Sequence, residues 1–146
     1  MSNYTHILHA VEFSEFGARA GKRAVTLARQ NNARLSLIRV VEFFPTDIAT
    51  EMGLFEDVEL EQHLLDNTRA KLADFAKKLG VEDATQWVEL GATRHEILRV
   101  AEAQSVDLIV IGSHGHHGLQ RLLGSTANSV LHGADCDVLA VRLQKQ

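Results

Sequence analysis

The chain has one cysteine, Cys136, one proline, Pro45, and aromatic residues fill only 5% of its 146 positions. A single thiol cannot build an internal disulfide framework, and such cysteine usage fits a reducing compartment. No block of Lys or Arg occurs, and the net charge of −4 is spread with acids and bases interleaved. The basic stripe and stacking aromatics of a nucleic-acid-binding surface are therefore missing. No apolar run approaches the ~20 residues that cross a bilayer. Residues 1–6 are polar, without the charged-then-apolar layout of a secretory signal. A soluble, cytoplasmic protein with no nucleic-acid and no membrane partner is expected. Two nucleotide signatures are also lacking. There is no G-x-x-x-x-G-K-[ST], and Glu12-Phe13-Ser14-Glu15 after the first apolar segment is not G-x-G-x-x-G. This excludes a P-loop enzyme and a dinucleotide dehydrogenase of the common kind.

What is present is an ordinary globular balance, 45% apolar and 23% charged, in a length that suits one domain with a real core. Four apolar segments, residues 7–11, 35–41, 108–111 and 138–141, are near-continuous, as in strands covered on both faces. A weaker fifth, 85–90, holds Trp87 and Val88 between Gln86 and Glu89. Helical spacing separates them. Gly21, Ala24, Val25 and Ala28 recur at i, i+3, i+4, i+7, and Leu64, Leu65, Thr68, Leu72, Phe75 and Leu79 continue that spacing until Gly80. Thr93-Arg94-His95-Glu96 reads as a capping box that opens a helix to about Ala103. Ala127, Val130, Leu131 and Ala134 form a last stripe. Residues 43–57 fit no element and read as a loop over a site or a plain connection. The order β-α-β-α-β-α-β-α-β implies an α/β fold with an open, five-stranded parallel sheet and helices on both faces.

Ligands of such sheets sit beyond the carboxyl ends of the strands, where the winding reverses. After the fourth strand the chain reads Gly112-Ser113-His114-Gly115-His116-His117-Gly118, and later Gly124-Ser125-Thr126. Glycine lets the backbone approach a ligand closely. Ser125 is expected at the N-cap of the last helix, whose free N–H groups and positive dipole end suit a phosphate. The alternative is that these glycines only turn the chain and Ser125 only caps a helix.

Gly112-x-x-Gly115 followed by Gly124-Ser125 resembles the ATP-binding motif of the universal stress protein family. His6-Ile7-Leu8-His9-Ala10-Val11-Glu12-Phe13-Ser14 resembles the family's first strand and turn, and Cys136-Asp137-Val138-Leu139-Ala140-Val141 its last strand. The resemblance spans nearly the whole chain and implies strand order 3-2-1-4-5, a Rossmann-like sheet. It implies adenine against Ala10, Val40 and Ile111, and ribose near Gly112 and Glu12, where the family usually has aspartate. Phosphates of ATP, ADP or AMP, with or without magnesium, would meet Gly115, Gly124, Ser125 and Thr126. The spacer of residues 116–123 is one residue shorter than the family's usual one, so ADP or AMP would be held almost as well as ATP.

Other residues invite chemistry less strongly. His114, His116 and His117 crowd one loop, but no second cluster completes a metal site, and solvated or phosphate-facing imidazoles are the alternative. His9 reads as a hydrogen-bonded core histidine, and Cys136, between Asp135 and Asp137, as inert. With no catalytic set, a nucleotide-binding regulatory protein of the stress response, signalling to a protein partner, is the leading reading. A slow ATP hydrolase or nucleotide-dependent transferase is the second, with Glu12, the loop histidines and Arg121 as its only candidates. A nucleotide-free dimeric scaffold is the third. The apolar last strand at a sheet edge is expected to pair with its copy in a homodimer, with Leu139 and Val141 at or near the contact.

Overall fold

A computed structural model describes residues 3–14, 16–42, 57–113 and 123–142. Five strands, β1 (His6–Ala10), β2 (Arg34–Val41), β3 (Thr85–Leu90), β4 (Leu108–Gly112) and β5 (Asp137–Val141), form one sheet in the order 3-2-1-4-5. Every neighbouring pair is parallel. The helices are α1 (Gly17–Asn31), α2 (Asp57–Leu79), α3 (Thr93–Ala103) and α4 (Ser125–Gly133). β1 lies at the centre and is buried along its whole length. The strand alternation divides its side chains. Ile7 packs with Ala20, Ala24 and Val25 of α1 and Leu72 and Ala76 of α2. Leu8 packs on the other face with Ile97 and Val100 of α3 and Ala127 and Val130 of α4.

The small-residue stripe of α1 has a steric reason. A Cβ on Gly21 would lie 2.8 Å from Leu79 Cδ1 and 3.0 Å from the Phe75 ring, so glycine lets α1 and α2 pack closely. The stop at Gly80 is also physical, because its φ of +73° suits glycine and the following Val81 N–H returns to the Ala76 carbonyl.

Several expectations shift. The capping box at Thr93 is not formed. The N-cap is Ala92, without a side-chain cap bond. The Thr93 hydroxyl donates instead to Glu42 Oε1 at 2.7 Å, and Glu96 pairs with Arg99 at 2.8 Å. Thr93 is the first helical residue and not the N-cap, so its hydroxyl is not placed to accept from the third helical N–H, and its proton bonds Glu42, which follows β2. In α4, Ala127 and Val130 are buried, while Leu131 is 47% exposed and Ala134 is already the C-cap. Leu131 lies within the helix but on its exposed side, and Ala134 still packs against the core. Val141 is buried in the chain's own core and Leu139 packs against it, so Ala140 is the exposed apolar side chain of the β5 edge. Residues 43–56 lie outside the described residues.

Candidate functional site

β1 and β2 stay paired through Ala10 and Ile38, and the Val11 N–H extends that ladder to the Ile38 carbonyl. The pairing of β1 with β4 ends earlier, at His9 and Val110. The sheet parts between Ala10 and Ile111, at the point where the strand order reverses. A cleft of about 750 Å³ opens there. Ala10, Val40 and Ile111 are buried side chains of its apolar floor, on the face covered by α3 and α4.

Its opposite wall is the start of α4. Gly124 donates its N–H to the Ser113 carbonyl at 2.7 Å, and Ser113 in turn donates to the Val141 carbonyl, so the loop end is tied to the tips of β4 and β5. The N-cap is Gly124 rather than Ser125, which is the first helical residue and is exposed. No side chain caps the helix. Its first backbone bond runs from the Asn128 N–H to the Gly124 carbonyl. The N–H groups of Ser125, Thr126 and Ala127 therefore have no intrahelical partner at the positive end of the helix, and all three residues border the cleft. The shift of the cap by one residue leaves these donors in place, because they belong to the backbone.

Ala10, Glu12, Val40, Ile111, Gly112, Gly124, Ser125 and Thr126 all border this one cleft. Gly115, His114, His116, His117 and Arg121 lie outside the described residues. Close packing sets the place of Glu12, since a Cβ on Gly17 would come within 1.9 Å of the Glu12 carbonyl oxygen. Among the further lining residues, Phe13, Arg39, Glu42, Thr68, Lys71 and Thr93 were not read from the sequence as part of a site. Arg39 alone carried a signal, as a charge inside an otherwise apolar strand. Glu42 accepts from the hydroxyl and the backbone N–H of Thr93, and these bonds hold its carboxyl below the usual range.

The remaining candidates behave as structure. His9 is fully buried, with Nδ1 3.0 Å from the Val110 carbonyl and Nε2 without a partner among the described residues. Burial pulls its pKa down to about 4, so the ring is neutral at pH 7. Cys136 is half-buried, and burial together with Asp137, Asp107 and Asp135 pushes its thiol pKa up, away from reactivity. Among the described residues no cluster of metal-ligating side chains occurs, and no helix is long and apolar enough to cross a membrane.

Comparison with known proteins agrees with this architecture. Residues 3–142 match the model of the universal stress protein family. The chain is 38% identical over 143 residues to universal stress protein A homolog 1 of Coxiella burnetii, covering 98% of this chain and 99% of that one. It is 39% identical to homolog 2 of the same organism, with 99% of each covered. Among solved structures, universal stress protein UspA from Lactobacillus plantarum superimposes with a TM-score of 0.75 at 26% identity, over 97% of this chain and 100% of that one. A universal stress protein described in complex with cAMP superimposes with a TM-score of 0.67 at 26% identity, over 98% and 100%. With the reversal-point cleft and the 3-2-1-4-5 sheet, these matches make the chain a member of the universal stress protein family.

Proposed function

We propose that the cleft binds an adenine nucleotide, ATP, ADP or AMP, and that the protein is a regulatory binder whose occupancy is read by a protein partner. The observation that carries this is the start of α4, where N–H groups without an intrahelical partner share one cleft of about 750 Å³ with an apolar floor. Donors and a dipole suit phosphates, and Ala10, Val40 and Ile111 suit a purine. The cAMP complex of a relative supports an adenine nucleotide as the ligand class. Glu12, at the end of β1 between floor and helix, is the acid positioned for ribose hydroxyls or for a magnesium ion carried by the phosphates. The one hydroxyl–carboxylate pair described in the lining, Thr93 with Glu42, has a carboxylate held below the usual range and so a poor base, which favours regulation over the hydrolase or transferase reading.

Calorimetric titration with ATP, ADP and AMP tests this. Wild type binds, and Gly124→Val, which places a branched side chain beside the phosphate donors, loses binding while a melting curve shows it folded. A wild type that takes up no adenine nucleotide overturns the proposal. Turnover in the range of roughly 1–1000 per second would make it an enzyme instead.

The same reading includes a cytoplasmic homodimer joined through β5. That strand is a sheet edge, with unpaired backbone groups along it and Ala140 exposed. Because Val141 is already buried, the contact would rest on main-chain ladder bonds and Ala140. Light scattering at micromolar concentration should give the mass of two chains, and a monomeric mass refutes the pairing.

A further inference from the structure

We infer that the cleft carries a second anion subsite, built by Arg39 and Lys71, that suits an adenosine nucleotide with an additional phosphate on its ribose. This rests on the proposed nucleotide reading of the cleft.

The subsite grows out of strand and helix periodicity. Along β2, Leu35 and Leu37 face the α1 and α2 side, and Ile38 and Val40 face the other. Arg39 continues the first set, at the height where the cleft opens. Its guanidinium lies 5.2 Å from the centre of the Phe13 ring, and Nη1 donates to the Val11 carbonyl at 3.2 Å. Among the described residues this is the only bond made by its five N–H donors, and it holds the fork in place. The Phe13 ring meets Phe75 of α2 edge to face, 6.4 Å between centres. Lys71 stands four residues before Phe75, on the same helix face, and borders the cleft beside Thr68. The aromatic pair therefore brings the two cations to one wall.

The chemistry of that wall selects an anion. Glu42, a nearby carboxylate, is bonded to Thr93, and the charge of Arg39 adds to what holds its carboxyl below the usual range. Among the described residues neither Arg39 nor Lys71 stands in an ion pair. The α4 donors follow β4, two strands from β2, a separation of ~10 Å at ordinary strand spacing. One phosphate cannot touch both. A ribose at Glu12, beyond the end of the intervening β1, can present its 5′ oxygen to α4 and a 2′ or 3′ oxygen to Arg39 and Lys71, with Glu12 on the remaining hydroxyl. A planar fork beside a point charge matches a phosphate dianion.

Calorimetry with adenosine 5′-monophosphate, adenosine 3′,5′-bisphosphate and ATP tests the subsite in wild type, Lys71→Gln and Arg39→Gln. The readout is the ratio of bisphosphate to monophosphate affinity within each protein. Wild type should prefer the bisphosphate by about tenfold or more, as expected of charge-assisted bonds, and the ratio should fall toward unity in Lys71→Gln. Lys71 is exposed, so this variant folds even if Arg39→Gln does not. If wild type binds both ligands equally, the subsite is wrong while the nucleotide cleft stands. A preference that neither substitution reduces also overturns it, as does a preference for ATP alone that both substitutions abolish. If no ligand binds at all, the cleft reading fails first.

Discussion

The two ends of the sheet solve the same problem in opposite ways. At the amino end, polar groups are matched. Asp107 accepts the Thr5 N–H at 2.9 Å, the Thr5 hydroxyl at 3.2 Å and the His6 N–H at 3.0 Å, and its own N–H donates to the His6 carbonyl. His6 Nε2 meets the Ser36 hydroxyl at 2.7 Å, and the Tyr4 hydroxyl donates to Asp137 at 2.7 Å. These bonds tie β1 to β2, β4 and β5. At the carboxyl end, β1 and β4 part after His9 and Val110, three helical N–H groups have no intrahelical partner, and two cations line a cleft without an ion pair among the described residues. A satisfied network stiffens a scaffold, whereas donors left open are what a ligand can complete. The amino end holds the strands so that the other end can stay open.

The largest expected effect bears on the open end. Gly17→Ala pushes a methyl group into the Glu12 carbonyl, and a rigid main-chain oxygen cannot yield cheaply. Overpacking of this kind should lower stability by about 3 kcal/mol and displace Glu12, read by urea denaturation and nucleotide titration together. A variant as stable as wild type would show that this end tolerates movement. The next effect lies between the ends, at His9, whose pKa falls from 6.5 in the unfolded chain to about 4 in the fold. Between these values the unfolded chain binds the extra proton. Stability is thus fully present above pH 6.5 and is lost as the pH falls toward 4. From pH 7.5 to 4.5 the loss through this ring should be about 2 kcal/mol. His9→Leu should flatten the stability curve by that amount, and an unchanged slope would mean that the ring charges inside the fold.

The smallest effect tests the closed end. Burial pulls the Asp107 carboxyl pKa upward, but the bonds from His6 and Thr5 outweigh it and hold the pKa below 3.8. Its contribution is therefore present above the unfolded value and fades as the pH drops through the folded one. Asp107→Asn should cost about 1 kcal/mol at pH 7, since solvent screens a largely exposed network. The gap to wild type should close in strong acid. A gap that persists there would assign the loss to packing and not to charge.

Much of this architecture could be read from residue patterns. The near-continuous runs of β1, β2 and β4, the small-residue stripe of α1 and the stop at Gly80 are local signals, and each has one dominant physical cause. The start of α4 was legible too, because glycine followed by a helical stripe leaves N–H groups without an intrahelical partner whichever residue caps it. What pattern reading missed was set by distant partners. Thr93 and Glu96 carry a capping-box spacing, yet the helix starts one residue earlier with Ala92 as the N-cap, and the threonine hydroxyl bonds Glu42 beyond β2. The run 138–141 reads as a buried strand, and only the tertiary structure sorts it into a buried Val141 and an exposed Ala140. Arg39 shows only as a charge within an apolar strand, and Lys71 as one more polar residue of α2. The period of a strand or helix assigns a side chain to a face, and that much the sequence determined alone. Only the folding of β2 beside β1, with α2 laid across them, decided that Arg39, Phe13, Phe75 and Lys71 share one wall, because packing joins residues that no sequence spacing links.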